Sequence, residues 1–531
     1  IHPSNKQKTT KLEENIMMMM MASDYYFIIP ISVATLITIL SMIIMKRTLI
    51  SVAAGGERTP PGPWKMPIIG NLHQLATGSS LPHRRLAELA RQYGPLMQLQ
   101  LGEIPTVIVS SAEWAKEFTQ THDLSFASRP FIPAANIIFY GGRDIGFSPH
   151  GPYWTKMRKI VAMELLSAKR TKMLRPIMEE EISKLVGSIA TESSVNLSEM
   201  MLSLGYSITC RAAFGKVHKQ AGVFLPLMEE FMKILGGFSL GDLFPSSNLL
   251  RLLVTNAAER KLKKVHSEAD AIMETIIKDR VAKRSAGNND DDDDQDQDQD
   301  LLGVLLDLKD NNALGFTEIK AVILDMFLAG SETATISVEW AMSELMKNPR
   351  IMEKAQREVR QVFHGEGLVD EASIEQLPYL KLVLKETLRL HPPGPLAMPR
   401  ENKETTMVNG YKISARTRVF VNLWAISRDP RHWTQPEVFE PERFLDSSVD
   451  FRGVDFHYLP FGAGRRICPG IHYGITLVHI ALANLIYHFD WKLPQQMKPE
   501  DLDMSERYGI EVKRLHNLIL IPTPYIPPQI N

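Results

Sequence analysis

The 531 residues contain two cysteines, and only one lies in a setting suited to chemistry. Cys468 closes the run Phe461-Gly462-Ala463-Gly464-Arg465-Arg466-Ile467-Cys468-Pro469-Gly470, in which three glycines, a proline and two arginines crowd a single thiol. The glycines let the backbone turn tightly and approach a flat ligand. Exposed backbone N–H groups can donate to a thiolate and tune its electron donation, and the arginines can pair with a ligand carboxylate. No CxxC or HxxxH partner accompanies Cys468, so a zinc site of three or four spaced ligands is not indicated. Cys210 reads as a small buried hydrophobe.

Three other segments bear on chemistry. Glu386 and Arg389 stand three apart in Leu384-Lys385-Glu386-Thr387-Leu388-Arg389-Leu390, where one helix face can pair them. Ala329-Gly330-Ser331-Glu332-Thr333 places a glycine and a Glu-Thr pair inside an apolar helical stretch, which weakens or interrupts a helix. Trp154 and Arg158 stand four apart, again on one helix face. Each has a bland reading when taken alone: a surface ion pair, a packing notch, and a core indole beside a solvated guanidinium.

Taken together, the segments resemble the cytochrome P450 family. Phe461, Gly464, Arg466, Cys468 and Gly470 match its haem-binding loop, Phe-x-x-Gly-x-Arg-x-Cys-x-Gly. The resemblance implies a haem b cofactor whose iron Cys468 ligates. It implies a buried structural triad of Glu386, Arg389 and Arg443, the last from Pro441-Glu442-Arg443-Phe444. It places Thr333 at the dioxygen site with Glu332 relaying protons; Ala334 stands where many members carry a second hydroxyl. Trp154, Arg158 and Arg400 are expected at the haem propionates, and Asp325, Ala329, Leu396, Ala397 and Tyr508 at the substrate.

Phe126-Ala127-Ser128-Arg129-Pro130, Leu165-Leu166-Ser167 and Glu339-Trp340-Ala341 are similar to the plant 71 clan, with the nearest likeness to its terpenoid oxidases. The implied activity is insertion of one oxygen atom from O2 into a hydrophobic small molecule, by hydroxylation, epoxidation or repeated oxidation. Electrons would come from NADPH through a cytochrome P450 reductase. A haem-thiolate isomerase acting without dioxygen is one alternative, and a membrane haem protein without turnover is another; the retained Glu332-Thr333 pair argues against the first.

The elements that must position these residues are mainly helical. The fold class expected is mainly α with small β-sheets, preceded by one N-terminal transmembrane helix. Residues 26–45 are nearly all apolar, long enough for a bilayer span and longer than the apolar core of a signal peptide. The divisions expected are a leader or lumenal tail over 1–24, an anchor over 25–47, a linker and Pro-rich hinge over 48–63, and a haem domain over 64–531. Translation is expected to start within the methionines at 17–21. Lys46 and Arg47 place the later residues in the cytosol, and the resemblance to the plant 71 clan implies the endoplasmic-reticulum membrane.

Alternation over 96–110 predicts a hairpin, and short strands are expected at 411–413 and 418–422. Helical periodicity covers 154–281, 317–363 and 380–390. The Asp- and Gln-rich run at 290–300 reads as a solvated loop. Sixty basic side chains balance sixty-one acidic ones, so no net field points to nucleic acid.

Overall fold

The computed structural model describes residues 58–76, 81–215, 221–236, 240–247, 256–286, 300–363, 369 and 371–526. The expected anchor, most of the expected hinge and the acidic run up to residue 299 lie outside the described residues. Residues 60–531 form one compact unit.

The elements that build the site are the hairpin β1 (Leu96–Leu101) and β2 (Ile104–Val109), helices α1 (Pro152–Ile160), α2 (Leu197–Phe214), α3 (Phe316–Gly330), α4 (Glu332–Lys347) and α5 (Pro378–Leu390), strands β3 (Arg400–Glu401) and β4 (Arg418–Val421), helix α6 (Ile471–His488), and the short strands β5 (Glu506–Arg507) and β6 (Lys513–Arg514). The largest sheet runs β1-β2-β4-β3. Its hairpin pairs Leu96 with Val109, β2 runs parallel to β4, and β3 adds antiparallel through Arg400 and Val419. The hairpin at 96–110 and the strands near 411 and 418 thus form as the alternation predicts.

Helices α4 and α6 are buried on nearly every face, α6 through an almost continuous apolar sequence and α4 with Thr335, Ser337, Glu339 and Ser343 buried among its apolar residues. They pack with α2 and α5 into the main core, where Val338, Leu345, Leu380, Val383, Ile480 and Leu482 are all fully buried. Among the described residues one helical stretch, Phe316–Lys347, is long and apolar enough to cross a membrane, and it is this largely buried core element.

Helix α5 shows why the fold is specified locally. Pro378 occupies its first turn, and the free N–H groups of Tyr379 and Leu380 donate to the Glu358 carboxylate at 2.8 and 2.9 Å. It stops at His391 before Pro392-Pro393, which cannot continue it. Within it, Glu386 accepts from Arg389 Nε at 2.7 Å and Nη2 at 2.8 Å, from Arg443 Nε at 2.9 Å, and from the Glu440 N–H at 2.8 Å. Glu386 and Arg389 have no exposed surface, so the chain segment carrying Arg443 is clamped against α5 by a buried, fully hydrogen-bonded ion cluster.

Asp300 departs from the expected solvated loop. It caps helix Leu301–Asp310 by accepting from Gly303 N–H at 2.7 Å, and it pairs in a buried contact with Arg280. A carboxylate at the end of an acidic run is captured because a helix N-terminus and a guanidinium both need an anion.

Candidate active site

Cys468 and Thr333 line one cavity of about 380 Å3. The Cys468 loop is shaped by its own backbone: Cys468 N–H donates to Phe461 O at 3.0 Å, and Ile467 N–H donates to Gly464 O at 3.0 Å. Gly464 has φ +68°, and a Cβ there would stand 2.0 Å from the Thr119 carbonyl, so no larger residue fits this crossing. Two residues beyond the thiol, Gly470 precedes α6 with its backbone close to the sulfur. Burial pushes the thiol up, while the nearby Gly470 N–H and the Arg158 guanidinium pull against the shift. Cys210, by contrast, is pushed up to about 12 by burial alone and does not line the cavity.

Five arginines line the cavity, and four of them, Arg129, Arg158, Arg400 and Arg466, stand close enough to feel one another's charge. Arg158 donates to Ile467 O. Arg400 pairs with Asp123 at 2.8 Å and donates to Ala463 O at 2.7 Å. Arg466 donates to the carbonyls of Ala127, Ile145 and Ser148. Burial, then the nearby Arg400 charge, pushes Arg466 down to about 9. Burial followed by the charges of Arg466 and Arg400 pushes Arg129 well below the usual guanidinium range. These groups repel one another, so an anion bound among them relieves the cost of their confinement.

The structure separates some residues that the resemblance groups together. Trp154 is buried behind this wall: its Nε1 donates to Ile145 O at 3.0 Å and Arg466 stacks 4.1 Å from its ring centroid, so its N–H is already engaged by protein. Ala329, Asp325 and Ala397 line the cavity, whereas Leu396 and Tyr508 do not. Leu396 packs instead against Leu99, Ile108 and Phe420. Asp325 accepts from Ile145 N–H at 2.7 Å and lies beside Asp144, which is pushed up to about 6 chiefly by burial. Its carboxyl therefore ties α3 to the loop before α1.

Between α3 and α4 the helix is interrupted at Ser331, and Thr333 Oγ1 donates to Ala329 O at 2.8 Å across the break. Helix α2 crosses there so closely that a Cβ on Gly205 would lie 2.1 Å from Ser331 O. Thr333 faces the cavity. Glu332 is turned away, its carboxylate accepting from Tyr206 OH at 2.7 Å and ion-paired with Lys513. Adjacent residues on a helix point about 100° apart, and here Thr333 faces the cavity while Glu332 points to Tyr206 and Lys513. Asp123, Arg129, Asp144, Tyr206 and Lys513 were not singled out as site residues from sequence, although Arg129 lies within the Phe-Ala-Ser-Arg-Pro run.

A mainly helical fold that directs a glycine-loop cysteine and several arginines into one apolar cavity defines a class of haem-thiolate oxygenases. The family model for Cytochrome P450 matches residues 60–519. The chain is 49% identical over 500 residues to desmethyl-deoxy-podophyllotoxin synthase of Sinopodophyllum hexandrum, covering 93% of this chain and 96% of that one. It is 45% identical to premnaspirodiene oxygenase of Hyoscyamus muticus (93% and 99% covered) and 47% identical to cytochrome P450 71D7 of Solanum chacoense (89% and 94% covered). A solved zebrafish cytochrome P450 structure with progesterone superposes at a TM-score of 0.71 with 24% identity, covering 84% of this chain and all of that one. This chain belongs to the cytochrome P450 family, and it is a monooxygenase of the plant 71 type.

The family's cofactor is haem, and the cavity suits it on chemical grounds. Cys468 presents a thiol beside the Gly470 N–H and the Arg158 guanidinium, and the arginine wall carries positive charge beyond what Asp123 and Asp144 offset, as a ligand with two carboxylates requires.

Proposed function

We propose that the protein is a membrane-anchored monooxygenase that inserts oxygen into an apolar plant terpenoid, with its catalytic domain on the cytosolic face of the endoplasmic reticulum. Residues 25–47 would form the anchor, 48–63 the hinge and 64–531 the haem domain. The observation that carries the reading is the placement of Cys468 and Thr333 on one largely apolar cavity.

Cys468 would hold the haem iron, with Arg158, Arg400 and Arg466 holding the propionates and Phe461, Gly464 and Gly470 shaping the loop beneath the ring. Bound there, haem supplies dioxygen activation and oxygen insertion into C–H bonds, using electrons that an NADPH–cytochrome P450 reductase delivers. The chain does the rest. Ala329, Ala397 and Leu388 provide wall without hydrogen-bonding groups in their side chains, which excludes water and orients an apolar substrate. Asp325 fixes the loop carrying Ile145 against α3, so the cavity keeps its width. Thr333 holds a hydroxyl proton at the cavity edge, and Glu332 moves protons toward it after rotating from its pairing with Lys513. The apolar wall and the premnaspirodiene named for one relative favour a terpenoid.

The test is turnover of a terpenoid panel, premnaspirodiene included, by the purified full chain with reductase and NADPH. A product carrying one added oxygen, dependent on NADPH, is expected. Binding spectra with members of the panel but no oxidised product would overturn the reading.

A further inference from the structure

One stretch of the cavity wall is held by a side-chain network apart from Cys468 and Thr333. After the short helix Pro133–Ile138 the chain runs through three consecutive left-handed residues, Tyr140 (φ +52°), Gly141 (φ +79°) and Gly142 (φ +80°). It then supplies Ile145 and Gly146 to the cavity. A left-handed conformation suits the glycines, but at a bulky residue such as Tyr140 it is strained and persists only where the surroundings impose it. Those surroundings are specific. Tyr140 OH donates to Asp270 Oδ1 at 2.6 Å, and its ring packs edge-on against His266 with centroids 4.7 Å apart. Both partners lie on the long helix Asn256–Ala286.

Asp270 is fixed in turn from α3. Lys320 Nζ donates to the same Oδ1 at 2.9 Å and pairs with Glu274 at 2.6 Å, with only 10% of its side chain exposed. A confined ammonium needs its carboxylates, so Lys320 keeps Asp270 in place whether or not Tyr140 is bound. Burial opposes ionisation of Asp270, but the bonds from Lys320 and Tyr140 outweigh it and hold the carboxyl below its usual range. Asp270 is thus a fixed, charged post shared by two helices, and Tyr140 is the movable half of the bond.

The wall is one chain thick here. Arg143, its side chain 48% exposed, stands only two residues before Ile145, which is buried against the cavity. A Cβ added at Gly141 would meet nothing within 4 Å, so the turn has room to change shape. Two further ties join the stretch to α3, Arg143 to Glu318 at 3.2 Å and the Ile145 N–H to Asp325 at 2.7 Å. Tyr140 supplies the tie to helix Asn256–Ala286.

We propose that Tyr140 is a positioning residue that sets the size of ligand the cavity admits: its bond to Asp270 holds the strained turn closed, and breaking that bond lets the Ile145–Gly146 wall swing outward about Gly141 and Gly142. The proposal takes the cavity as the ligand site of the monooxygenase reading. A ligand too bulky for the closed wall enters and leaves only while the wall is open. Weakening the latch therefore multiplies both rates by the same factor, and affinity holds as long as the closed form stays in the majority.

The test uses the full-length haem-loaded enzyme with two probes, imidazole and the bulkier 4-phenylimidazole, whose nitrogen shifts the haem absorbance on binding. Tyr140→Phe keeps the ring on His266 and removes the hydroxyl. Stopped-flow association and dissociation of 4-phenylimidazole should both rise about tenfold, the lower end of what a hydrogen bond to a charged group contributes. Its Kd should stay within about twofold, imidazole should respond less, and amide hydrogen exchange over 141–147 should speed by a similar factor. Gly141→Ala, disfavoured by the backbone at φ +79° rather than by any contact, should raise the same rates without touching Asp270. Wild-type rates and exchange in Tyr140→Phe would overturn the proposal. So would faster dissociation with unchanged association and a matching loss of affinity, the mark of a lost contact rather than a released latch. A wild-type enzyme with no spectral response to imidazole would sink the haem-thiolate reading instead, and hydrogen exchange over 141–147 would still decide the latch.

Discussion

Replacing Glu386 by Gln changes the shape of α5 very little but removes the one negative charge shared by Arg389 and Arg443. The carboxylate accepts four hydrogen bonds, one on Oε2 and three on Oε1. If the Gln oxygen occupies the Oε1 position, its amide nitrogen faces the Arg389 Nε–H as donor against donor. In the flipped orientation three donors are left opposed. Either way Arg389, which has no exposed surface, keeps its charge without a counter-ion. Removing one member of a buried ion cluster costs about 3–5 kcal/mol, a large part of the roughly 5–15 kcal/mol that holds a folded domain. Urea titration of the purified protein should therefore show the unfolding free energy lowered by that amount, read as a lower midpoint at unchanged slope. Because Glu386, Arg389 and Arg443 do not line the cavity, turnover per intact haem should stay near wild type. A variant within about 0.5 kcal/mol of wild type, the range of neutral surface changes, would refute this account of the triad.

Gly205→Ala should force α2 away from Ser331, since the added Cβ would meet Ser331 O at 2.1 Å and Thr335 Cγ2 at 3.0 Å. A loss of about 1–3 kcal/mol and weaker coupling of NADPH to product are expected, and unchanged coupling would show that the helix break tolerates the shift. His479 is held neutral, pushed down to about 4 mainly by burial and then by Lys381. The unfolded chain takes a proton near pH 6.5 and the folded one does not until about 4, so this contribution is full above pH 6.5 and is lost as pH falls toward 4. The loss is about 3 kcal/mol, and His479→Leu should flatten it in titrations at pH 7 and pH 5. Thr333→Ala removes the cavity-facing hydroxyl and should keep the haem spectrum while diverting electrons to peroxide; fully coupled turnover would take Thr333 out of the proton path.

The Cys468 loop and the Glu386-Arg389 pair were legible in the sequence because their information is local: turn-forming glycines beside one thiol, and two charges three apart on a helix. The hairpin at 96–110 was legible for the same reason, from the alternation in its first strand, although the second strand is buried on both faces. Asp123 and Asp144 were not, because loops far apart in the chain bring them to Arg400 and Arg466. The orientation of Glu332 depends on Lys513, 181 residues later, and no local pattern encodes that pairing. Trp154 shows the reverse case: its spacing from Arg158 is right for a shared helix face, yet the carbonyl of Ile145 takes its N–H. Tyr508 and Leu396 were chosen by motif position, and chain position alone does not fix which side of a loop faces a cavity.

The most direct test of the central claim is the reduced, carbon-monoxide difference spectrum of membranes expressing the full chain, beside the same spectrum for Cys468→Ala. The account predicts the red-shifted band of a thiolate-ligated haem in the first and its loss in the second. That band persisting without Cys468, or failing to appear in folded wild-type protein, would contradict the assignment of Cys468 as the ligand.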